Sequence, residues 1–407
     1  MKSIRFIHAA DLHLDSPFIG LAYAPKLVLD SIRESTFLAL DNLVQAAIEK
    51  QVDFVLITGD LFDSERQSLK AQIRLKKAFE LLYSHEIMVY LSYGNHDYIK
   101  GNIHPITYPN NVQIFPDEQV RSFIHYKEDM PMAKIYGFSY EKRAVTEGKA
   151  KEYRLSDDTI PFHIGMLHGS IQSNTDHDLY APFQLNELVE KDFDYWALGH
   201  IHQRQILKES PPVIYPGNIQ GRNRKETGEK GCYVVELSAS SYNTQFLPLQ
   251  AIQFSKLSIN ATACIEIHQL EEEIQKACHH LAEEQPHMID LSIVGNQQRL
   301  SAWEQEGLLE EIIDVVNATM QLETNWCHIF RYHSEIDYST IDPYLYEGDH
   351  FIGELLRQTD KASIQPFLKD LYKQKQARKY VEMFAEEEVE QIKNEARHIL
   401  LKGLMEE

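Results

Sequence analysis

Phe54-Val55-Leu56-Ile57 runs through Thr58 into Gly59-Asp60-Leu61-Phe62-Asp63. An apolar, β-branched run of this length, ended by glycine, reads as a buried strand, and a helix-like segment follows it. That places Asp60 on a sharp turn at the carboxyl end of a strand, where each carboxylate oxygen is free to take a different metal ion. The neighbouring segments have the same organisation. Ile4 to Ala10 reads as a strand and runs into Asp11-Leu12-His13-Leu14-Asp15, and Ile87 to Tyr93 runs into Gly94-Asn95-His96-Asp97. Between them, Phe37, Leu40, Val44, Ala47 and Ile48 predict a helix over roughly Asp30 to Lys50. Ile73, Leu75, Ala78, Phe79, Leu82 and Tyr83 predict a second helix. The alternation predicts an α/β layered fold, in which ligand sites lie beyond the carboxyl ends of strands.

After Asn110 the pattern becomes more β-like, with strands expected at Ala133–Tyr140, Phe162–Leu167, Tyr195–Leu198, Val213–Tyr215 and Cys232–Glu236. Two of these end in His168-Gly169 and Gly199-His200-Ile201-His202. A boundary falls near Pro248 to Lys256. Beyond it, Cys264–Ile267, Ile289–Val294 and Cys327–Tyr332 read as strands, and Leu270–Ala282 and Leu308–Met320 as helices. From about Pro343 the chain reads as charged helix, with apolar stripes at Ile364, Phe367, Leu368, Leu371, Tyr372 and at Val389, Ile392, Ala396, Ile399, Leu400. Three domains are therefore expected, over 1–250, 251–342 and 343–407.

Composition narrows the class. A chain of 407 residues exceeds one ordinary core. No apolar run approaches bilayer length and the first residues lack a signal-peptide core, so the chain reads as cytoplasmic. The four cysteines form no CxxC pair, which argues against a disulfide framework and a cysteine zinc site. A formal net charge of −21 disfavours polyanion binding by the whole surface. A nucleic-acid substrate would need a local basic patch or bound metal.

The strand-end stretches supply Asp11, His13, Asp60, Asn95, His168, His200 and His202 as candidate metal ligands. Carboxylate, amide oxygen and imidazole together suit manganese, iron or zinc better than calcium. Two-metal sites hold their ions about 3.5–4 Å apart, which needs a bridging carboxylate, and a metal-activated water becomes the nucleophile at neutral pH. His96 adjoins a ligand. Its imidazole could steady the transition state or protonate a departing alkoxide, and Asp63, with Asp97 and Asp15 as weaker alternatives, could orient it.

Asp11-x-His13, Gly59-Asp60-x-x-Asp63, Gly94-Asn95-His96-Asp97, His168-Gly169 and Gly199-His200-x-His202 resemble, in order, the motifs of the calcineurin-like metallophosphoesterases. The GNHD form, the GHxH ending and the length resemble the SbcD-type DNA repair exonucleases and, among them, the bacterial YhaO-like branch. The resemblance implies a four-layer αββα sandwich. One metal would take Asp11, His13, Asp60 and His202, and the other Asp60, Asn95, His168 and His200, with His96 as the catalytic imidazole. It further implies that 251–342 is a capping domain that helps admit DNA, that 343–407 docks on an SbcC-like coiled-coil ATPase, and that the protein is a homodimer. The chain departs from the family at Asp15, often glycine, and at Gln67-Ser68, often Pro-Ser.

Other readings stand beside these. His8, His163 and His177 read as hydrogen-bonded strand or loop histidines, and Cys278-His279-His280 and Cys327-His328 as ordinary helix and strand positions. Gly221-Arg222-Asn223-Arg224-Lys225 is the densest basic run near the motifs, so Arg222, Arg224 and Lys225 are candidate phosphate contacts. Against that, the run is a solvated loop diluted by Glu226 and Glu229. Tyr98 reads as a packed aromatic or a base-stacking one. The leading function is a manganese-dependent DNA phosphodiesterase in repair, an exonuclease with endonuclease action left open. The alternatives are a phosphatase or phosphodiesterase on small molecules or cyclic nucleotides, and a DNA-end-binding scaffold for an ATPase.

Overall fold

The computed structural model describes residues 2–336, apart from 19–20, 22–23, 64–66, 102–105, 158, 172–179, 240 and 337–350, together with 351–363 and isolated positions beyond. It divides into two compact units, residues 1–293 with 302–334, and residues 294–301 with 335–407.

Two six-stranded sheets dominate the first unit. The first contains β1 (Ser3–Ala9), β2 (Phe54–Thr58), β3 (Met88–Ser92), β4 (Val112–Ile114), β11 (Gly231–Ser238) and β12 (Tyr242–Pro248). Their order is β12-β11-β1-β2-β3-β4. The second, in the order β5-β6-β7-β8-β10-β9, contains β5 (Arg121–Lys127), β6 (Met130–Gly137), β7 (Phe162–His168), β8 (Tyr195–Gly199), β9 (Gln205–Lys208) and β10 (Val213–Tyr215). β1 through β4 are parallel, as are β6, β7, β8 and β10, whereas β11 returns antiparallel beside β1.

Side-chain alternation along the strands sorts the apolar residues into three layers. Phe6, Phe54, Leu56 and Tyr90 of the first sheet meet Ile135, Ile164, Met166, Tyr195 and Ala197 of the second. The intervening residues Ile7, Val55, Ile57, Val89 and Leu91 point to the other side, onto α1 (Lys26–Glu49) and α2 (Leu69–Ser84). On the outer face of the second sheet, Trp196, Leu198, Val213 and Tyr215 pack with Leu188 of α3 (Leu185–Val189). Helix, sheet, sheet and helix are thus four layers with three apolar seams, the αββα sandwich that the resemblance implies. Strands buried on both faces account for the unbroken hydrophobic runs. α2 begins at Ser68, whose Oγ accepts the Ala71 N–H at 3.1 Å, so the Gln67-Ser68 departure keeps a working helix cap.

β13 (Gln253–Asn260), β14 (His287–Gly295) and β15 (Cys327–Ile336) form a third sheet, with α4 (Ile267–Leu281) and α6 (Leu308–Met320) in contact with each other. Phe254, Met288 and Trp326 join Phe18, Val28 and Ile32 in one apolar cluster. The strand expected at Cys264–Ile267 is instead a turn leading into α4. Glu266 and Gln269 form a reciprocal capping box there, and that local pairing outcompetes a short apolar alternation. α5 (Gln297–Gln305) precedes α6, and α7 (Phe351–Lys361) follows β15 in the chain. The first C-terminal stripe lies outside the described residues. Of the second, Val389, Ile392 and Ala396 are helical. No helix among the described residues is long and apolar enough to cross a membrane.

Candidate metal centre

The carboxyl ends of β1, β2 and β3 meet those of β7 and β8 along one rim. The loops after β1 and β2 are zipped together by the backbone, with Asp11 N–H donating to Gly59 O at 3.2 Å, His13 N–H to Asp60 O at 3.0 Å and Leu14 N–H to Leu61 O at 2.9 Å. Asp97 fastens the third loop. Its two carboxylate oxygens accept the Leu61 and Gly94 N–H groups, each at 2.7 Å. It clamps backbone and does not orient His96.

Left-handed backbone concentrates here. Asp11 (φ 53°), His13 (φ 42°), Asp60 (φ 50°) and His200 (φ 96°) all lie in a region that L-residues rarely enter. Such strain persists only where the surroundings over-determine it. Asp15 shares this conformation at φ 62°, one that glycine adopts without steric cost. Three motif glycines make room for side chains. A Cβ on Gly59 would lie 2.1 Å from His168 Nδ1, on Gly94 2.2 Å from Asp60 Oδ1, and on Gly199 2.0 Å from Thr58 O.

All seven expected ligands come together. One nitrogen or oxygen from each of Asp11, His13 and His202 lies within 4.8 Å of the others, and the same holds for Asp60, His168 and His200 and for His13, Asp60 and His96. Asp60 therefore belongs to two of the groups. Its Oδ2 is 3.4 Å from His168 Nε2 on one side and 3.8 Å from His13 Nε2 on the other. Asn95 Oδ1 lies 3.0 Å from His168 Nε2 and 3.2 Å from His200 Nδ1. Contacts of this length match a coordination edge of about 3 Å built on metal–ligand bonds of about 2.1 Å. The far nitrogens of two imidazoles are already committed. His168 Nδ1–H donates to Thr58 O at 3.0 Å, and His202 Nδ1 lies 2.8 Å from Glu226 Oε1. Each ring thus presents Nε2 inward, the arrangement that metal-binding histidines use. The donor set fits divalent metal ions.

At this spot burial competes with close charges, and the outcome differs from group to group. Burial alone would raise the Asp60 carboxyl, but His168 and His13 hold it well below the usual range. Burial would lower His168, yet Asp60 beside it raises the imidazole to about 9. His13 is driven well below its ordinary value by burial and by Arg222. Asp11, His13, Asp60, Asn95 and His168 are buried, whereas His96, His200 and His202 are partly exposed and form the mouth.

His96 Nδ1–H donates to the Asp63 backbone carbonyl at 2.7 Å, and its own N–H donates to Asp60 Oδ1 at 3.0 Å. Asp63 thus meets His96 through its main chain. Its carboxylate faces His13 Nδ1 at 3.5 Å and is bonded by Arg222. Of the basic run, Arg222 is drawn inward between Asp63 and Glu226, Arg224 is half-buried and Lys225 exposed. Sequence reading missed Glu226, treating it only as a diluting charge. It lies 24 residues beyond His202, with no motif to mark it. Burial would raise its carboxyl, but the His202 hydrogen bond and the Arg222 charge hold it well below the carboxylate range. His8 is a strand histidine bonded to Tyr195 OH and Leu198 O, and His163 Nδ1 lies 3.0 Å from Tyr136 OH. His177 lies outside the described residues. Tyr98 packs on the outer apolar layer. Among the described residues, the metal-competent groups all lie at this one site, and none includes Cys278, His279, His280, Cys327 or His328.

The profile of the calcineurin-like phosphoesterase family matches residues 4–204. The metallophosphoesterase YhaO of Bacillus subtilis is 38% identical over 406 residues, 99% of this chain and 98% of that protein. The DNA double-strand break repair protein Mre11 of Methanocaldococcus jannaschii is 26% identical over 276 residues, 65% of this chain and 69% of its own. Mre11 of Thermoplasma acidophilum is 23% identical over 279 residues, 65% of this chain and 71% of its own. With its sandwich, its strand-end cluster of carboxylates and imidazoles and a full-length relative, the chain belongs to the calcineurin-like phosphoesterases, hydrolases of phosphoester bonds.

Proposed function

We propose that this protein is a two-metal DNA phosphodiesterase acting in repair, an exonuclease in the first instance, with manganese as its metal. The observation that carries the two-metal reading is the position of Asp60 between His13 and His168. The DNA reading rests on similarity to two proteins named for double-strand break repair. When bound, the ions would activate a water and neutralise charge on the phosphoryl group. Asp11, His13, Asp60 and His202 would hold one, and Asp60, Asn95, His168 and His200 the other. His96 is anchored through Nδ1 on the Asp63 carbonyl, which leaves Nε2 as the atom that can pass a proton to the leaving oxygen.

In this reading residues 251–342 cap the site, and Arg224 and Lys225 at its edge meet backbone phosphates. Residues 343–407 dock on an SbcC-like coiled-coil ATPase, and a homodimer works in the cytoplasm. The test is digestion of linear duplex DNA with added manganese. His96→Leu should lower the rate about 10²–10⁴-fold, and Asp60→Ala should abolish it. Equal digestion by wild type and both variants would refute the assignment. Turnover confined to a nitrophenyl phosphodiester would move the substrate to small molecules, a class that the −21 net charge suits.

A further inference from the structure

The loop that follows β10 reaches the metal centre from outside the motif set. Glu226 is buried at 9% exposure, and each of its two oxygens has a defined task. Oε1 faces His202 Nδ1 at 2.8 Å, and Arg222 Nη2 lies 3.3 Å from that oxygen and 3.1 Å from the same ring nitrogen. Oε2 accepts the Arg222 backbone N–H and the Asn218 side-chain amide, each at 2.8 Å. Arg222 then reaches on to the Asp63 carboxylate, whose own backbone carbonyl anchors His96. A carboxylate–guanidinium–carboxylate bridge thus spans the mouth, from the residue behind His202 to the residue behind His96.

We infer that Glu226 is the positioning residue for His202, fixing its ring and tautomer, and that Arg222 braces Glu226 against Asp63. The inference rests on the reading that Asp11, His13, Asp60 and His202 hold one ion. A carboxylate behind a ligating imidazole fixes the ring and raises its basicity, and losing one costs about 10–100-fold in metal affinity. Glu226 stands behind His202, whereas His168 has the Thr58 carbonyl as its own anchor. The loss should therefore fall on one ion and leave the other unchanged. Arg222 acts here as a strut, with its charge shared between two carboxylates.

The test is titration of manganese into chelator-stripped, full-length protein by calorimetry, with the melting temperature of the stripped protein as a folding control. Wild type should bind two ions. Glu226→Ala should weaken one class of site about 10–100-fold and leave the second unchanged. Glu226→Gln, which keeps an acceptor oxygen, should fall between. Arg222→Gln should weaken the same class to a smaller degree. In the double variant with His202→Ala, Glu226→Ala should add nothing, because it acts through that ring. Two wild-type affinities in Glu226→Ala, equal weakening of both classes, or full additivity with His202→Ala would each overturn the inference. Fewer than two ions on wild type would instead overturn the ligand assignment beneath it. None of these readouts depends on DNA cleavage.

Discussion

His13 and His202 stand 189 residues apart in sequence, and their Nε2 atoms face each other at 3.0 Å. Two imidazole nitrogens pointed at one place, with Asp11 beside them, form a group that could hold a cation. On the other side of Asp60, His168 and Asn95 repeat the arrangement at the same separation. In the proposed two-metal reading the centre is two half-sites that share one carboxylate.

Asp60→Asn should therefore deplete both ions together, while His13→Ala and His168→Ala should each deplete mainly one. Metal content by mass spectrometry after gel filtration reads this directly. Two ions retained by Asp60→Asn would show that the shared carboxylate is misassigned.

Two glycine substitutions should fail in different ways. A Cβ on Gly199 meets the Thr58 backbone carbonyl at 2.0 Å, which cannot step aside, so Gly199→Ala should cost about 2–3 kcal/mol of stability even without metal. A Cβ on Gly94 meets side chains, Asp60 Oδ1 at 2.2 Å and His168 Nε2 at 2.7 Å, and should chiefly displace ligands. Denaturant midpoints with chelator, set against manganese affinity, separate the two. Equal stability of Gly199→Ala and wild type would contradict the packing argument.

Asp97 and Asp15 make an opposed pair. An asparagine at 97 can accept only one of the two N–H groups that the carboxylate now holds, so Asp97→Asn should cost about 1–3 kcal/mol. Asp15 is exposed and left-handed at φ 62°, a conformation glycine adopts freely, so Asp15→Gly should stay within about 1 kcal/mol of wild type. Chemical denaturation of both variants checks the contrast, and a larger loss for Asp15→Gly than for Asp97→Asn would reverse it.

Acid should destabilise the fold through histidines outside the metal centre. Burial lowers His8 to about 3 and His125 to about 4. Both pKa values lie below that of an unfolded histidine, so the unfolded chain binds the extra protons. Each neutral ring contributes its stability fully above about pH 6.5, and that stability drains away as pH falls toward the folded values. By pH 5 each accounts for a loss of about 2 kcal/mol. Denaturation midpoints between pH 7 and 5 should fall less steeply for His125→Phe than for wild type. Parallel slopes would assign the acid sensitivity elsewhere.

The layered core was legible because strands buried on both faces must be apolar throughout, as Phe54 to Ile57 and Tyr195 to Leu198 are. The rim was legible because glycine, aspartate and histidine cluster where strands end. The edge strands were not. Arg121–Lys127, Gln205–Lys208 and Tyr242–Pro248 are half-solvated, and their mixed composition has no distinctive period. Glu226 and Asp97 were opaque for a different reason. Their roles depend on which backbone or ring lies beside them in space, and a single glutamate or aspartate in a charged chain gives no sign of that.

The placement of β1 between β2 and β11 has a consequence for biosynthesis. One edge of the first strand finds its partner as soon as residue 57 has emerged, but the other pairs with Tyr233 to Ser238. Until that late segment leaves the ribosome, the earliest strand keeps a bare row of peptide groups, and the nascent chain carries an adhesive edge. His202, the last of the seven candidate ligands, is synthesised before the sheet that carries them has closed. A chain that stalls in that interval could hold ions on an unfinished scaffold.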